Sequence, residues 1–175
     1  MEQAILNFHT QFLFKPVIEN ANTLSRAQRC ALGGMGGSHL NAGLLASWKP
    51  EIDLVIHRDY GLPALSDAKE RLYIASSYSG NTEEAIDFAE SALKKGYAVA
   101  TISVGGKLLE FAQENGLPHI VILDTKIQPR CALGFSTIAL SVLMGDERLL
   151  QELKALASLL KPEKLEEKGR TLSEA

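Results

Sequence analysis

The stretch SSYSGNTEE, residues 76–84, gathers four serine and threonine hydroxyls and an amide around one glycine, directly ahead of two glutamates. It follows the apolar run RLYIA and precedes the amphipathic run AIDFAESALKK, so it stands where a strand should turn into a helix. The N-terminus of a helix leaves several backbone N–H groups without partners and carries a partial positive charge. Small hydroxyl residues in the preceding loop add donors without blocking approach, and Gly80 lets the backbone come close. The combination is an anion cradle, with phosphate as its obvious guest. Ser77, Ser79 and Thr82 can direct their hydroxyls into one oxyanion, supported by the N–H groups of residues 80–83. The plainer alternative is that Ser79, Asn81 or Thr82 only caps the helix, with Glu83 or Glu84 completing a capping box. A cap needs one hydroxyl, and four exceed that need, which favours the phosphate site.

Two further junctions bear on the same chemistry. GGMGGS, residues 33–38, ends an apolar run in glycines. A dinucleotide fingerprint G-x-G-x-x-G can begin at Gly34 and continue at Gly36, but its third position holds His39. Gly36 and Gly37 instead read as a tight turn that admits a ligand or another loop to the backbone, and Ser38 offers one more hydroxyl. In DTKIQPRCALGF, residues 124–135, Arg130 follows Pro129 and precedes an apolar helix. An arginine placed there can hold a phosphate or an anionic oxygen formed during reaction. Its alternative is an ordinary ion pair with Asp124 or Glu84. His9, His39, His57 and His119 show no metal spacing; His39 stands at a junction and can face a ligand, though a bond to a neighbouring loop explains it as well. Cys131 has no paired histidine in view and reads as a helix residue rather than a nucleophile.

These junctions need elements to position them. Short helices broken at Pro16 are expected first, then strands over QRCALG, IDLVIH, RLYIAS, AVATISV and HIVILD. Helices are expected over residues 38–48, 82–95, 107–115, 131–144 and 146–160. Alternation at this pace predicts an α/β three-layer sandwich: a five-stranded parallel sheet with helices on both faces and ligands at the carboxyl ends of the strands. At 175 residues, residues 1–160 form a single domain, and the polar residues 161–175 form a solvated tail or a linker. The net charge of −3 argues against a nucleic-acid surface, and no apolar run approaches the ~20 residues that span a bilayer. The N-terminus does not read as a signal peptide, and Cys30 and Cys131 make no metal-spaced pair, so a cytoplasmic protein with reduced thiols is expected.

GGMGGS, SYSGNTEE and QPRCALGF, in this order and spacing from about Cys30 to Phe135, resemble the N-terminal SIS (sugar isomerase) domain of the bifunctional phosphoglucose/phosphomannose isomerases. The resemblance implies that Ser77, Ser79 and Thr82 hold a sugar phosphate, and that Ser38 with the glycines beside it lines the same pocket. It implies that Arg130 stabilises the enediolate of aldose–ketose isomerisation. It also implies no metal or other cofactor, a cytoplasmic location and a dimer. Those isomerases carry a second SIS domain with the glutamate base and the ring-opening histidine, and no residue here matches either. The chain is therefore expected to supply the phosphate half of the site. The proton-transfer half would come from a separately encoded second SIS domain or from a neighbouring subunit of a homo-oligomer. The alternative is a sugar-phosphate sensor without chemistry.

Overall fold

The computed structural model describes residues 2–25, 27–123 and 126–173. Five strands, β1 (Arg29–Gly33), β2 (Leu54–His57), β3 (Arg71–Ser77), β4 (Ala98–Ser103) and β5 (His119–Val121), form one parallel sheet in the order β2-β1-β3-β4-β5. The central strand β3 is buried along its whole length. That is why its sequence is a continuous apolar run that turns to serine only at its carboxyl end.

Helices cover both faces, as expected. On one face α2 (Leu40–Trp48), α5 (Leu133–Met144) and α6 (Glu147–Leu159) pack Ala42, Leu45, Ile138, Leu140, Leu149 and Leu153 against Leu32, Ile74 and Ile102. On the other, α3 (Glu83–Lys94) and α4 (Gly106–Glu114) pack Phe88, Ala89, Ala92, Leu108 and Ala112 against Ala31, Tyr73 and Val99. The apolar sequence of α5 is explained by its position: eight of its residues are buried, so it is core and not surface.

The N-terminal segment opens with α1 (Glu2–Leu6) and a 3-10 helix, Phe8–Leu13, that ends before Pro16. Glu19 then bridges antiparallel to His119, with N–H···O bonds of 2.9 and 3.1 Å, covering the free edge of β5. The expected fifth strand is shortened. After Val121 one bond from the Ile122 N–H to the Ser103 carbonyl (2.9 Å) continues the pairing, Leu123 is exposed, and Asp124 lies outside the described residues. Residues of the polar C-terminal stretch form a 3-10 turn, Pro162–Leu165, and a helix α7 (Glu166–Ser173). The helical turn brings Leu165 beside Ala4, Ile5 and Phe8 of the N-terminal segment. No helix among the described residues is long and apolar enough to cross a membrane.

Candidate functional site

Parallel strands aim all their carboxyl ends in one direction, so the loops after β1 and β3 and the turn before α5 must meet there. The 3-10 turn Gly36–His39 follows β1, and Gly37 lies so close to the Pro129–Cys131 turn that a Cβ would stand 3.0 Å from the Arg130 backbone nitrogen. The glycine run therefore admits a loop to the backbone, and that loop carries Arg130. Gly36 itself is exposed and adopts a left-handed φ of +54°. Ser38 is buried, and its hydroxyl accepts a 2.9 Å bond from the Tyr78 N–H, which ties the first junction to the third-strand loop.

Within that loop the hydroxyls divide their work. Ser77 is fully buried, and its oxygen accepts from the N–H groups of Gly80 (3.1 Å) and Thr82 (3.4 Å) while lying 2.8 Å from the Thr82 hydroxyl. With both lone pairs of Ser77 engaged, its proton belongs on Thr82, and the Thr82 proton is left for an outside acceptor. Each bond in such a chain polarises the next. Thr82 occupies the N-cap position of α3 but makes no side-chain cap bond. The exposed Ser79 hydroxyl accepts from the Asn81 N–H (3.2 Å), and its own proton remains to donate. Glu83 turns away to accept a 3.1 Å bond from the Tyr60 hydroxyl rather than completing a capping box. Hence the first-turn N–H groups of this twelve-residue helix are not quenched by the caps that the plainer reading required.

Gly80 has a structural duty besides any contact with a ligand. Its φ is +72°, and a Cβ there would overlap the carbonyl oxygen of Gly105. The β3–α3 loop is in fact knit to the β4–α4 loop by Val104 N–H to Tyr78 O (3.0 Å), Leu108 N–H to Gly80 O (2.8 Å) and Lys107 N–H to Asn81 Oδ1 (3.2 Å). These bonds fix the two loops to one another.

Arg130 is exposed, and among the described residues it forms no ion pair; the expected alternative with Glu84 is not made, and Asp124 lies outside the described residues. His39 is half-buried, and burial together with the nearby Arg58 holds its pKa below the usual histidine range. Cys30 lies in β1 at the heart of the sheet, where burial pushes its thiol up to about 12, so it is inert. Tyr60, Gln11 and Tyr78 were not singled out by sequence. Each acts through a backbone or cross-loop bond that no local motif announces.

A large cavity of about 540 Å³ opens at the opposite end of the sheet, lined in part by Arg29, Glu51, Asp53 and Glu147. Arg29 and Asp53 there already face each other at 3.4 Å, so size alone does not make that cavity the site.

No protein-family model matches the chain. It is 40% identical over 155 residues to the bifunctional phosphoglucose/phosphomannose isomerase of Caldicellulosiruptor bescii, covering 81% of this chain and 45% of that protein. It is 30% identical over 180 residues to the enzyme of the same name from Aquifex aeolicus, covering 98% and 53%. The chain thus spans about half the length of the curated relatives it matches. Among solved structures, the Vibrio vulnificus NanR protein complexed with ManNAc-6P shares the fold, with a TM-score of 0.58 at 19% identity over 90% of this chain and 64% of that one. The chain is an SIS domain, resembling one half of the bifunctional phosphoglucose/phosphomannose isomerases.

Proposed function

We propose that this domain binds a hexose 6-phosphate and supplies the phosphate-holding half of an aldose–ketose isomerase site. One observation supports the reading: at the carboxyl ends of the strands Gly37 lies against the Arg130 backbone and the neighbouring Ser38 bonds the Tyr78 N–H, so the arginine turn and the loop that carries Ser79 and Thr82 are both tied to the first junction. Ser77 acts by polarising Thr82, Gly80 by setting the loop, and Gly36, Gly37 and Ser38 by walling the pocket. Arg130, always protonated, helps hold the anionic substrate and neutralises the oxygen that becomes anionic as an enediolate forms. It cannot remove a proton from carbon.

Isomerisation moves hydrogen between C1 and C2 and needs a base within hydrogen-bond reach of those carbons. The Glu83 carboxylate is already engaged in accepting a bond from the Tyr60 hydroxyl. The base therefore comes from a second SIS domain, reached through residues 161–175, or from the neighbouring subunit of a dimer. The setting is the cytoplasm, and no cofactor is required. The second reading is a sensor without chemistry, supported by the fold shared with NanR in its sugar-phosphate complex.

Calorimetry with fructose 6-phosphate tests the site. Bonds to a charged acceptor contribute about 1.5–3 kcal/mol each, so the Ser79→Ala, Thr82→Ala double variant should bind roughly 100-fold more weakly. Unchanged affinity would remove the cradle from consideration. A coupled assay separates the two readings. Turnover by the chain alone assigns the base to a neighbouring subunit; a chain that is silent alone should interconvert fructose 6-phosphate and glucose or mannose 6-phosphate once a matching second SIS domain is added. A mixture that retains full activity with Arg130→Ala shows the arginine's role to be wrong, and a mixture that stays inactive favours the sensor.

A further inference from the structure

We infer that Gln11 is the positioning residue for Arg130, a side chain from the N-terminal segment that fixes the turn presenting the arginine to the anion cradle; the inference rests on the phosphate reading above. Gln11 sits in the Phe8–Leu13 3-10 helix and is 3% exposed. Its Nε2 donates to the Cys131 carbonyl at 2.6 Å, and its Oε1 accepts from the N–H groups of Gly134 (2.9 Å) and Phe135 (3.4 Å). One amide thus grips the Pro129–Cys131 turn with its donor end and the first turn of α5 with its acceptor end. It fixes the angle between them.

Local sequence cannot do this. The N-cap of α5 is Ala132, which makes no side-chain cap bond, and the cap arrives from a residue more than a hundred positions away. Gly134 makes the approach possible: a Cβ there would stand 2.6 Å from the Gln11 Cβ. The turn has its own bonds, Cys131 N–H to Gln128 O (2.7 Å) and Ala132 N–H to Pro129 O (3.1 Å), which set its shape but not its orientation on the protein. Orientation comes from Gln11 on one side and the close backbone of Gly37 on the other. Because Arg130 makes no ion pair among the described residues, its direction follows from this turn.

The chemistry of the position demands an amide. A carbonyl must be given a proton and two N–H groups must be accepted, and an amide does both through separate atoms held in one plane. A neutral side chain also leaves the positive end of α5 and the arginine unopposed for an anion. Glutamate would keep the acceptor, lose the donor and set a negative charge beside the arginine turn.

The test is a double-mutant cycle in the full chain with fructose 6-phosphate as the probe. Gln11→Met should raise the Kd about tenfold in the wild-type background and less than twofold when Arg130 is already alanine. Gln11→Glu, which keeps the cap on Gly134, should preserve amide-exchange protection there and still lose affinity. Equal losses in both backgrounds would mean that Gln11 serves stability only and would overturn the inference. A readout without ligand keeps this failure distinct from that of the phosphate site. In Gln11→Met the Arg130 amide should show faster backbone motion by 15N relaxation, with the β3 amides unchanged. If the wild type binds no hexose phosphate, the phosphate reading falls and this measurement alone decides the clamp; an Arg130 amide as rigid as in the wild type sinks it.

Discussion

At the amino-terminal end of the sheet Arg71 is buried, its guanidinium held by Asp67 through two bonds of 2.9 and 2.8 Å, by Asp53 at 2.7 Å and by the Cys30 carbonyl at 3.2 Å. Arg29 adds contacts of 2.9 and 3.3 Å to Asp67 and Glu70. At the carboxyl end Arg130 is exposed, and Thr82 at the start of α3 makes no side-chain cap bond. The same residue type is surrounded by carboxylates at one end and, among the described residues, has no ion pair at the other. Charges that answer one another close a structure, whereas donors without acceptors wait for a guest. Its acidic partners, Asp67 first, hold the Arg71 proton still more firmly, and Arg71 in turn draws the Asp67 pKa down. That end of the sheet is glue.

The contrast can be broken from either side. Gly80→Ala attacks the carboxyl end where it is most rigid: a left-handed φ and a collision with the Gly105 carbonyl should cost about 3 kcal/mol or more, read as a fall in urea-denaturation stability, and should abolish hexose phosphate binding. Arg71→Met attacks the other end. Losing one member of a buried ion cluster costs about 3–5 kcal/mol in full burial, and the half-exposed Asp53 lowers the expectation to about 2–3 kcal/mol. Under conditions where the variant is folded, its affinity for fructose 6-phosphate should match the wild type. A large loss of affinity would show that the two ends are not separate.

Exchanging the roles of two surface arginines sharpens the comparison. Arg130→Ala should leave stability within about 0.5 kcal/mol and weaken hexose phosphate roughly tenfold, while Arg29→Ala should lower stability by at most about 1 kcal/mol and leave binding intact. The smallest effect belongs to His39. Its folded pKa is depressed, so between that value and the ordinary 6.5 the unfolded chain binds the extra proton. Stability should therefore fall as pH drops below about 6.5, more steeply in the wild type than in His39→Gln, in thermal melts between pH 7.5 and 5. Parallel curves would remove His39 from the account.

Much of this was legible in the sequence because it rests on local rules. Period and punctuation gave five strands and the helices between them, and the glycine, serine and threonine types at the junctions marked the end of the sheet that matters. Local rules also failed in consistent places. The strand read through Asp124 stops pairing near Val121, because edge pairing depends on which neighbour is present. Glu83, with the spacing of a capping residue, bonds instead to Tyr60, whose loop arrives from another strand.

What the sequence determined by itself is the architecture and the inventory: a parallel α/β sheet, hydroxyls and glycines after its third strand, an arginine behind a proline. What only the tertiary structure decided is how that inventory is spent. Ser77 turns inward to bond Thr82, Gly37 makes room for the arginine turn, Gln11 bonds that turn from far along the chain, and Arg71 is consumed in an ion cluster while Arg130 has no ion pair among the described residues. The reason is physical. Secondary structure follows from periodicities within a few residues, whereas the partner of a polar group is whatever the fold brings within about 3 Å of it.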